Sequence, residues 1–134
     1  MKKFQTMMAV VLVTLMAFAV QSCGSDNDDQ EYKLDVTLNI TDRGPLTDAE
    51  CEAMLLDAAK ASTVISRPTD NSAEQATMLV AQGISEGLEF YKSAYGSAQF
   101  TYTITCTRIS GDKHIISYYV TYNNGDVRIY SNKN

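Results

Sequence analysis

Tryptophan is absent from this chain and histidine occurs once, at His114, which restricts the chemistry that its side chains can support. The three cysteines, Cys23, Cys51 and Cys106, are widely separated and show no CxxC spacing. Structural zinc sites need four nitrogen or sulfur ligands at short, characteristic spacings. One imidazole and scattered thiols do not supply them, and no glycine-rich phosphate-binding loop is present in the sequence. The sequence therefore predicts neither a bound metal nor a cofactor.

Basic residues are also scarce. Lysine and arginine total 11 against 16 aspartates and glutamates, so the formal net charge is −5. Binding to nucleic acid or to anionic lipid requires a basic surface that neutralises phosphates. We therefore expect no nucleic acid partner and no direct electrostatic adhesion to a membrane.

The N-terminus carries a pattern typical of exported proteins. Lys2 and Lys3 precede a mainly apolar run over residues 7–20, and residues 21–23 end in Cys23. A transmembrane helix needs about 20 apolar residues, so this run is too short to span a bilayer comfortably. It fits the apolar region of a secretory signal peptide, which is removed from the mature protein.

This segment resembles the lipobox of bacterial lipoproteins, in which a signal peptidase cleaves before a diacylated cysteine. Cys23 takes the place of that cysteine. Val20 and Ser22 depart from the strictest pattern, which has Leu and then Gly or Ala at these positions, although lipoproteins of the Bacteroidota type accept Ser. The acidic stretch over residues 24–31 resembles the export tag of surface-displayed lipoproteins in those bacteria.

The resemblance implies a signal peptide over residues 1–22, a lipid at Cys23 and an acidic tether over residues 23–31. It also implies attachment to the outer membrane through the lipid anchor, with display at the cell surface. Residues 32–134 then form a single domain. Cleavage leaves 134 − 22 = 112 residues, with 11 − 2 = 9 basic residues against 16 acidic ones and a net charge of −7.

Hydrophobic periodicity predicts one strand and then two helices in the first part of this domain. Apolar and polar residues alternate over residues 32–40, which is typical of a half-buried strand. Thr47 and Glu50 have the spacing of a capping box at a helix start. Ser72 and Gln75 have the same spacing and predict a second helix that ends near residue 95.

Three alternating segments follow, over residues 98–107, 115–122 and 127–130, with hairpin signals between them. The predicted order is β-α-α-β-β-β. The simplest α+β fold with this order is a two-layer sandwich, in which both helices cover one face of a four-stranded antiparallel sheet.

Two cysteines remain if Cys23 is acylated. Exported proteins commonly contain disulfides. Cys51 lies on the apolar stripe of the first predicted helix, and Cys106 lies on the apolar side of the strand over residues 98–107. A Cys51–Cys106 disulfide is one interpretation, and two buried free thiols that act as small hydrophobic groups are the other.

The outward side of the predicted sheet is rich in hydroxyl groups and aromatic rings. Rings bind by stacking and hydroxyls bind by directional hydrogen bonds, so this side can bind a protein or a glycan. Thr and Tyr are also favoured strand formers on a solvated face, and that alternative stays open. The candidate binding residues are Thr101, Thr103, Thr105, Tyr119, Thr121, Arg128 and Tyr130.

His114 is the one candidate for acid–base chemistry, because Asp112 is close enough in sequence to orient its imidazole. Polar residues also collect in solvent-exposed hairpin turns, and no G-x-S-x-G motif accompanies the pair. The sequence therefore assigns no catalytic residue and favours a non-enzymatic, surface-tethered binding module. A hydrolase inhibitor is a more specific version, and a small enzyme that uses His114 and Asp112 is the alternative.

Replacing Cys23 with Ala removes the thiol that lipidation requires. We expect the Cys23→Ala protein to stay unacylated and unprocessed at this site, as measured by mass spectrometry of its N-terminus. Ser22→Ala is the matched control, since the lipobox pattern accepts Ala there and processing should continue. An unmodified N-terminus at another residue of the mature natural protein would contradict the prediction.

Overall fold

An amphipathic antiparallel sheet with helices on one face forms the architecture of the protein. The description rests on a computed structural model and covers residues 29–132. The predicted signal peptide, Cys23 and most of the predicted tether lie outside the described residues.

Helices and strands follow one another in the order β-α-β-α-α-β-β-β. The strands are β1 (Gln30–Asp42), β2 (Thr63–Arg67), β3 (Gln99–Arg108), β4 (Lys113–Asn123) and β5 (Asp126–Ser131). The helices are α1 (Asp48–Lys60), α2 (Asp70–Phe90) and the short α3 (Lys92–Tyr95), and a 3-10 turn (Ser110–Asp112) joins β3 to β4. No helix among residues 29–132 is long and apolar enough to cross a membrane.

The prediction of an α+β fold with an antiparallel sheet and helices packed on it is confirmed, but the predicted number of strands is wrong. The sheet has five strands in the order β2-β1-β3-β4-β5, and neighbouring strands are antiparallel. The strand that the prediction missed is β2, which lies between the two long helices and pairs with β1. It has five residues, and Ile65 is the one that is buried. A strand this short with one buried residue does not show a clear alternation of apolar and polar residues.

The two long helices begin at capping boxes. In a capping box the side chain of the N-cap residue accepts a hydrogen bond from the backbone N–H three residues later, and the side chain of that residue accepts one from the N-cap backbone N–H. At α1 the box is the predicted one: the Glu50 backbone N–H donates to Thr47 Oγ1 at 3.1 Å, and Thr47 N–H donates to Glu50 Oε1 at 2.8 Å. At α2 the N-cap is Thr69 rather than Ser72, since Ser72 N–H donates to Thr69 Oγ1 at 3.1 Å. The predicted second box was therefore displaced by three residues.

The second long helix ends at Phe90, before the predicted end near residue 95. The chain continues through α3 and stops at Gly96, whose φ of +56° is rarely adopted by residues with a side chain. A Cβ atom at Gly96 would also lie 2.9 Å from the Pro45 ring. Glycine is therefore required where the chain turns from α3 into β3.

Alternate residues of the long strands form the core. They pack in two clusters, a larger one against α1 and the second half of α2, and a smaller one against the first half of α2. The buried apolar residues of the strands are Tyr32, Leu34, Val36, Ile65, Phe100, Tyr102, Ile104, Cys106, Ile115, Ile116, Val120 and Tyr122.

The two candidate disulfide partners are free thiols in the structure. Cys51 packs against the larger core cluster, whereas Cys106 is fully buried in the smaller one. Burial raises the pKa of the Cys106 thiol above its ordinary value of 9.0. Cys106 is buried and Cys51 is half-buried, and both interpretations of this pair stay predictions.

Two tyrosines of the core differ in how their hydroxyl groups are satisfied. Tyr122 Oη lies 2.7 Å from the Gly96 carbonyl and 3.0 Å from the Lys92 carbonyl, to which it donates. Tyr102 Oη is buried without a hydrogen-bond partner among the described residues. A buried polar group without a partner destabilises the folded state.

Removing each hydroxyl should therefore have opposite effects. We expect Tyr102→Phe to leave the free energy of unfolding unchanged or raise it by up to about 1 kcal/mol, because it removes an unsatisfied polar atom. We expect Tyr122→Phe to lower it by about 1 kcal/mol, since two carbonyls lose their donor. Urea denaturation of both variants measures the difference. Equal destabilisation by the two substitutions would contradict this account.

Candidate functional site

The face of the sheet opposite the helices is formed by outward residues of β1, β3, β4 and β5, and we call it the open face. The pairing of the strands arranges these residues in rows: Thr37, Thr103, Tyr119 and Tyr130 follow one another across the sheet. The structure brings all seven predicted binding residues together on this face. Further members include Lys33, Asp35, Thr37, Asn39, Thr107 and Ser117.

Tyr119 and Tyr130 lie opposite each other on β4 and β5, and their rings stack. The ring centroids are 5.2 Å apart and the planes differ by 25°. Tyr130 is 49% exposed, while Tyr119 is half-buried. Because each ring limits the rotation of the other, less side-chain freedom remains to be lost when a ligand binds. The stack is a preorganised aromatic surface.

The threonines of β3 form the centre of the open face. Thr101, Thr103 and Thr105 are each half-buried and lie between the neighbouring strands β1 and β4. Branching at Cβ restricts their χ1 rotation. Thr105 Oγ1 lies 3.1 Å from Ser117 Oγ, so this hydroxyl is already fixed by a neighbour. The hydroxyls thus present directional donors and acceptors from a rigid backbone.

Two ion pairs lie at the margins of this face. Lys33 Nζ lies 3.7 Å from Asp35 Oδ1 at one side. At the other side, Arg128 Nε lies 2.8 Å from Asp126 Oδ2. The row from Thr37 to Tyr130 carries no carboxylate, ammonium or guanidinium group. The central row of the face is therefore polar and uncharged.

His114 is also placed over the open face, by an irregularity in the pairing of β3 with β4. Cys106 pairs with Ile116, but the next residue, Thr107, pairs with His114, so that Ile115 is an extra residue in β4. The His114 Nε2 atom lies 3.0 Å from Ser117 Oγ.

The structure joins His114 to Ser117 rather than to Asp112, the partner that sequence proximity suggested. Asp112 lies in the exposed turn at a φ of +51°. Ser117 is itself held by Asn132, whose Oδ1 accepts from the Ser117 backbone N–H at 2.8 Å. The group in contact with the imidazole is thus the Ser117 hydroxyl, which sequence analysis did not pair with His114.

A second polar site, which sequence analysis missed, surrounds Asp70 at the end of the sheet where β1 begins. We call it the Asp70 groove, and its volume is about 480 Å³. It lies between the starts of β1 and α2 and the end of β3. Its lining residues are Gln30, Tyr32, Pro68, Thr69, Asp70, Arg108 and Ser110.

Asp70 accepts hydrogen bonds from three side chains, two of which line this groove. Tyr32 Oη donates at 2.6 Å and Lys113 Nζ at 3.1 Å, while Arg108 Nη1 lies 3.5 Å from both carboxylate oxygens. The hydrogen bonds from Tyr32 and Lys113 lower the pKa of Asp70 below its ordinary value of 3.8. Burial and the bond to Asp70 raise the pKa of Tyr32 to about 12.

Sequence reasoning missed this cluster because its members are distant along the chain. Asp70 follows the N-cap of α2, where an acidic residue is common for reasons of helix stability alone. Tyr32 belongs to the inward row of β1, so its pattern indicates a core residue. Only the pairing of Tyr32 with Arg108 across β1 and β3 brings these groups together.

Comparison with protein-family models, with curated proteins and with solved structures finds no match to this chain. Within residues 29–132, no group of three His, Cys, Asp or Glu side chains is placed so that it can hold a metal ion. The functional argument therefore depends on the geometry of the open face and of the Asp70 groove.

The Asp70 cluster should make stability depend on pH in acid. The pKa of this carboxyl is lower in the folded protein, so its stabilising contribution is present above about pH 3.8 and is lost as the pH falls through the folded pKa. We expect Asp70→Asn to lower the urea midpoint at pH 7, with a difference from the natural protein that shrinks towards pH 2.

Asp126→Asn is the matched control for this measurement. Its partner Arg128 has a side chain that is 75% exposed, and exposed ion pairs contribute little to stability. We expect a much smaller change in urea midpoint at pH 7. A deficit of Asp70→Asn that stays constant down to pH 2 would show that charge is not the cause.

Proposed function

We propose that this protein is a lipoprotein of the outer membrane, anchored at Cys23 and displayed at the cell surface, and that its domain is a non-enzymatic binding module. The observation that carries the binding function is the open face. It combines a stacked and exposed tyrosine pair with rigid hydroxyl groups, on a side of the sheet that no described helix covers.

The anchor sets where this face can act. Gln30, where β1 begins, is 30 − 23 = 7 residues from Cys23, and each residue spans at most about 3.6 Å. The start of the sheet is then held within about 25 Å of the lipid-bearing residue. Acyl chains supply the attachment, because a mature net charge of −7 does not favour adhesion to anionic lipid.

The charge of the open face limits its partners. Phosphate-rich nucleic acid requires several unpaired cations, whereas Lys33 and Arg128 each have a carboxylate partner here. A protein or a glycan fits this surface better. Inhibition of a hydrolase is a specific version of the binding function, in which the open face or a hairpin loop blocks an enzyme, and capture of that enzyme would identify it.

A small hydrolytic enzyme is the second candidate function. The observation in its favour is the 3.0 Å contact between His114 Nε2 and Ser117 Oγ, since an imidazole can accept a proton from a serine hydroxyl. Covalent labelling of Ser117, and of no other residue, by a fluorophosphonate probe would favour this candidate over a binding module.

The tyrosine stack is the part of the open face whose removal should reduce binding most. We expect the double substitution Tyr119→Ala with Tyr130→Ala to weaken capture of a partner from cell-envelope material by about 2 kcal/mol or more, as large aromatic residues do at binding hot spots. The effect on folding should be smaller, because Tyr130 is 49% exposed.

Pull-down and thermal melting of the same variant separate these two effects. Leu79→Ala is a control on the helix layer, where the Leu79 side chain is 42% exposed. It should leave capture unchanged. Unchanged capture by the double tyrosine variant would exclude the stack as the binding surface.

A further inference from the structure

We infer that the ligand of the open face is a neutral glycan. This inference rests on the proposed binding function of that face and narrows its partner to one chemical class. Three properties of the described residues support it: the paired cations, the hydroxyls beside a stacked pair of aromatic rings, and the size of the surface.

The first property is electrostatic. The two cations at the margins of the face have their carboxylate partners at 3.7 Å and 2.8 Å. A sulfated, phosphorylated or uronic acid ligand would have to compete with Asp35 or Asp126 for those cations. A neutral ligand leaves both ion pairs in place, so that no charge loses its partner or its hydration on binding.

The second property is chemical. A sugar ring has hydroxyl groups around its edge and weakly positive C–H bonds on its faces. The electronegative face of an aromatic ring attracts such C–H bonds, and Tyr130 offers ring surface for this contact. Thr101 and Thr121 lie in the row next to the stack, so their hydroxyls can donate to and accept from the edge of the same sugar.

The third property is size. Strands lie about 4.8 Å apart and residues on one side of a strand repeat every 6.8 Å or so, which gives a surface on the order of 400 Å² from Lys33 to Asn39 across four strands. A surface of this extent can hold a few sugar units of a chain that lies on it.

The shape of the molecule agrees with an extended ligand. The Asp70 groove lies at the end of the sheet, between β1, α2 and β3, and is lined by an Asp and an Arg rather than by the open-face residues. Paired strands provide the open face itself, so a chain can lie across it and extend beyond the edge of the sheet at β5. A ligand of this kind needs no enclosed pocket.

Affinity electrophoresis tests the inference directly. The protein, purified in a polyoxyethylene detergent that carries no sugar, is run in native gels containing dextran, mannan, xyloglucan or arabinoxylan, and in gels containing polygalacturonate or chondroitin sulfate as anionic probes. We expect at least one neutral polysaccharide to retard the protein. The variant with Tyr119→Ala and Tyr130→Ala should lose at least tenfold in apparent affinity.

Two control variants make the result specific. Tyr119→Phe with Tyr130→Phe keeps the stacked rings and should bind within about threefold of the natural protein if ring surface supplies most of the affinity. Phe90→Ala removes an aromatic ring that is 78% exposed at the end of α2, in the helix layer, and should not change the retardation. Thermal melting of each variant confirms that it is folded.

Several outcomes would overturn the inference. These are retardation by the anionic polysaccharides alone, retardation that survives the double Ala substitution, and free migration in every neutral gel. Suppose that the protein migrates freely in the neutral gels but captures a protein from the cell envelope, and that the double Ala substitution abolishes this capture. That result would overturn the glycan inference and leave the proposed binding function intact. Free migration in the neutral gels without any captured protein would overturn both the inference and the proposed function.

Discussion

The pairing of β1 with β3 is the interaction on which the rest of the structure depends. It runs from Tyr32 opposite Arg108 to Asp42 opposite Gln99 and joins the first and last thirds of the described chain. Because side chains alternate along a strand, this one register turns Leu34 and Cys106 into the core and Lys33 and Thr107 towards the open face. A shift by one residue would exchange the two faces and expose the core.

Both polar sites follow from that pairing. The Asp70 groove exists because Tyr32 and Arg108 are register partners at the end of the sheet where α2 begins. The rows of the open face exist because β3 lies between β1 and β4 and transmits the same register to both. Because β4 contains one extra residue at Ile115, two successive isoleucines, Ile115 and Ile116, are both buried. The same irregularity places His114 over the open face, where it contacts Ser117. A packing requirement of the core thus decides where the single imidazole lies.

The two sites differ in a way that bears on function. In the Asp70 groove, one carboxylate is held by a tyrosine hydroxyl and two cations, an arrangement that ties β1, β3 and the start of α2 together. On the open face, the central rows carry hydroxyls and rings, and Tyr130 remains substantially exposed. Groups that satisfy one another stabilise the fold, whereas exposed groups held in a rigid arrangement are available to a ligand. This contrast is why we propose the open face as the binding surface.

The sequence by itself determined the features that depend on local order. Alternation in β1, β3 and β4 identified which side chains would share a face, the Thr47 box identified the start of α1, and the mixed order of elements identified an α+β fold. Lipidation at Cys23 remains a prediction, since it depends on a segment outside the described residues.

The tertiary structure decided what depends on partners distant along the chain. The edge strand β2 is too short to show a period and is defined by its pairing with β1. The thiols of Cys51 and Cys106 point into one layer but into separate clusters of it. His114 meets Ser117 rather than Asp112 because β4 contains one extra residue. Periodicity specifies the side of a strand or helix on which a residue lies, whereas register and bulges specify its neighbour, and these arise only when the strands pair.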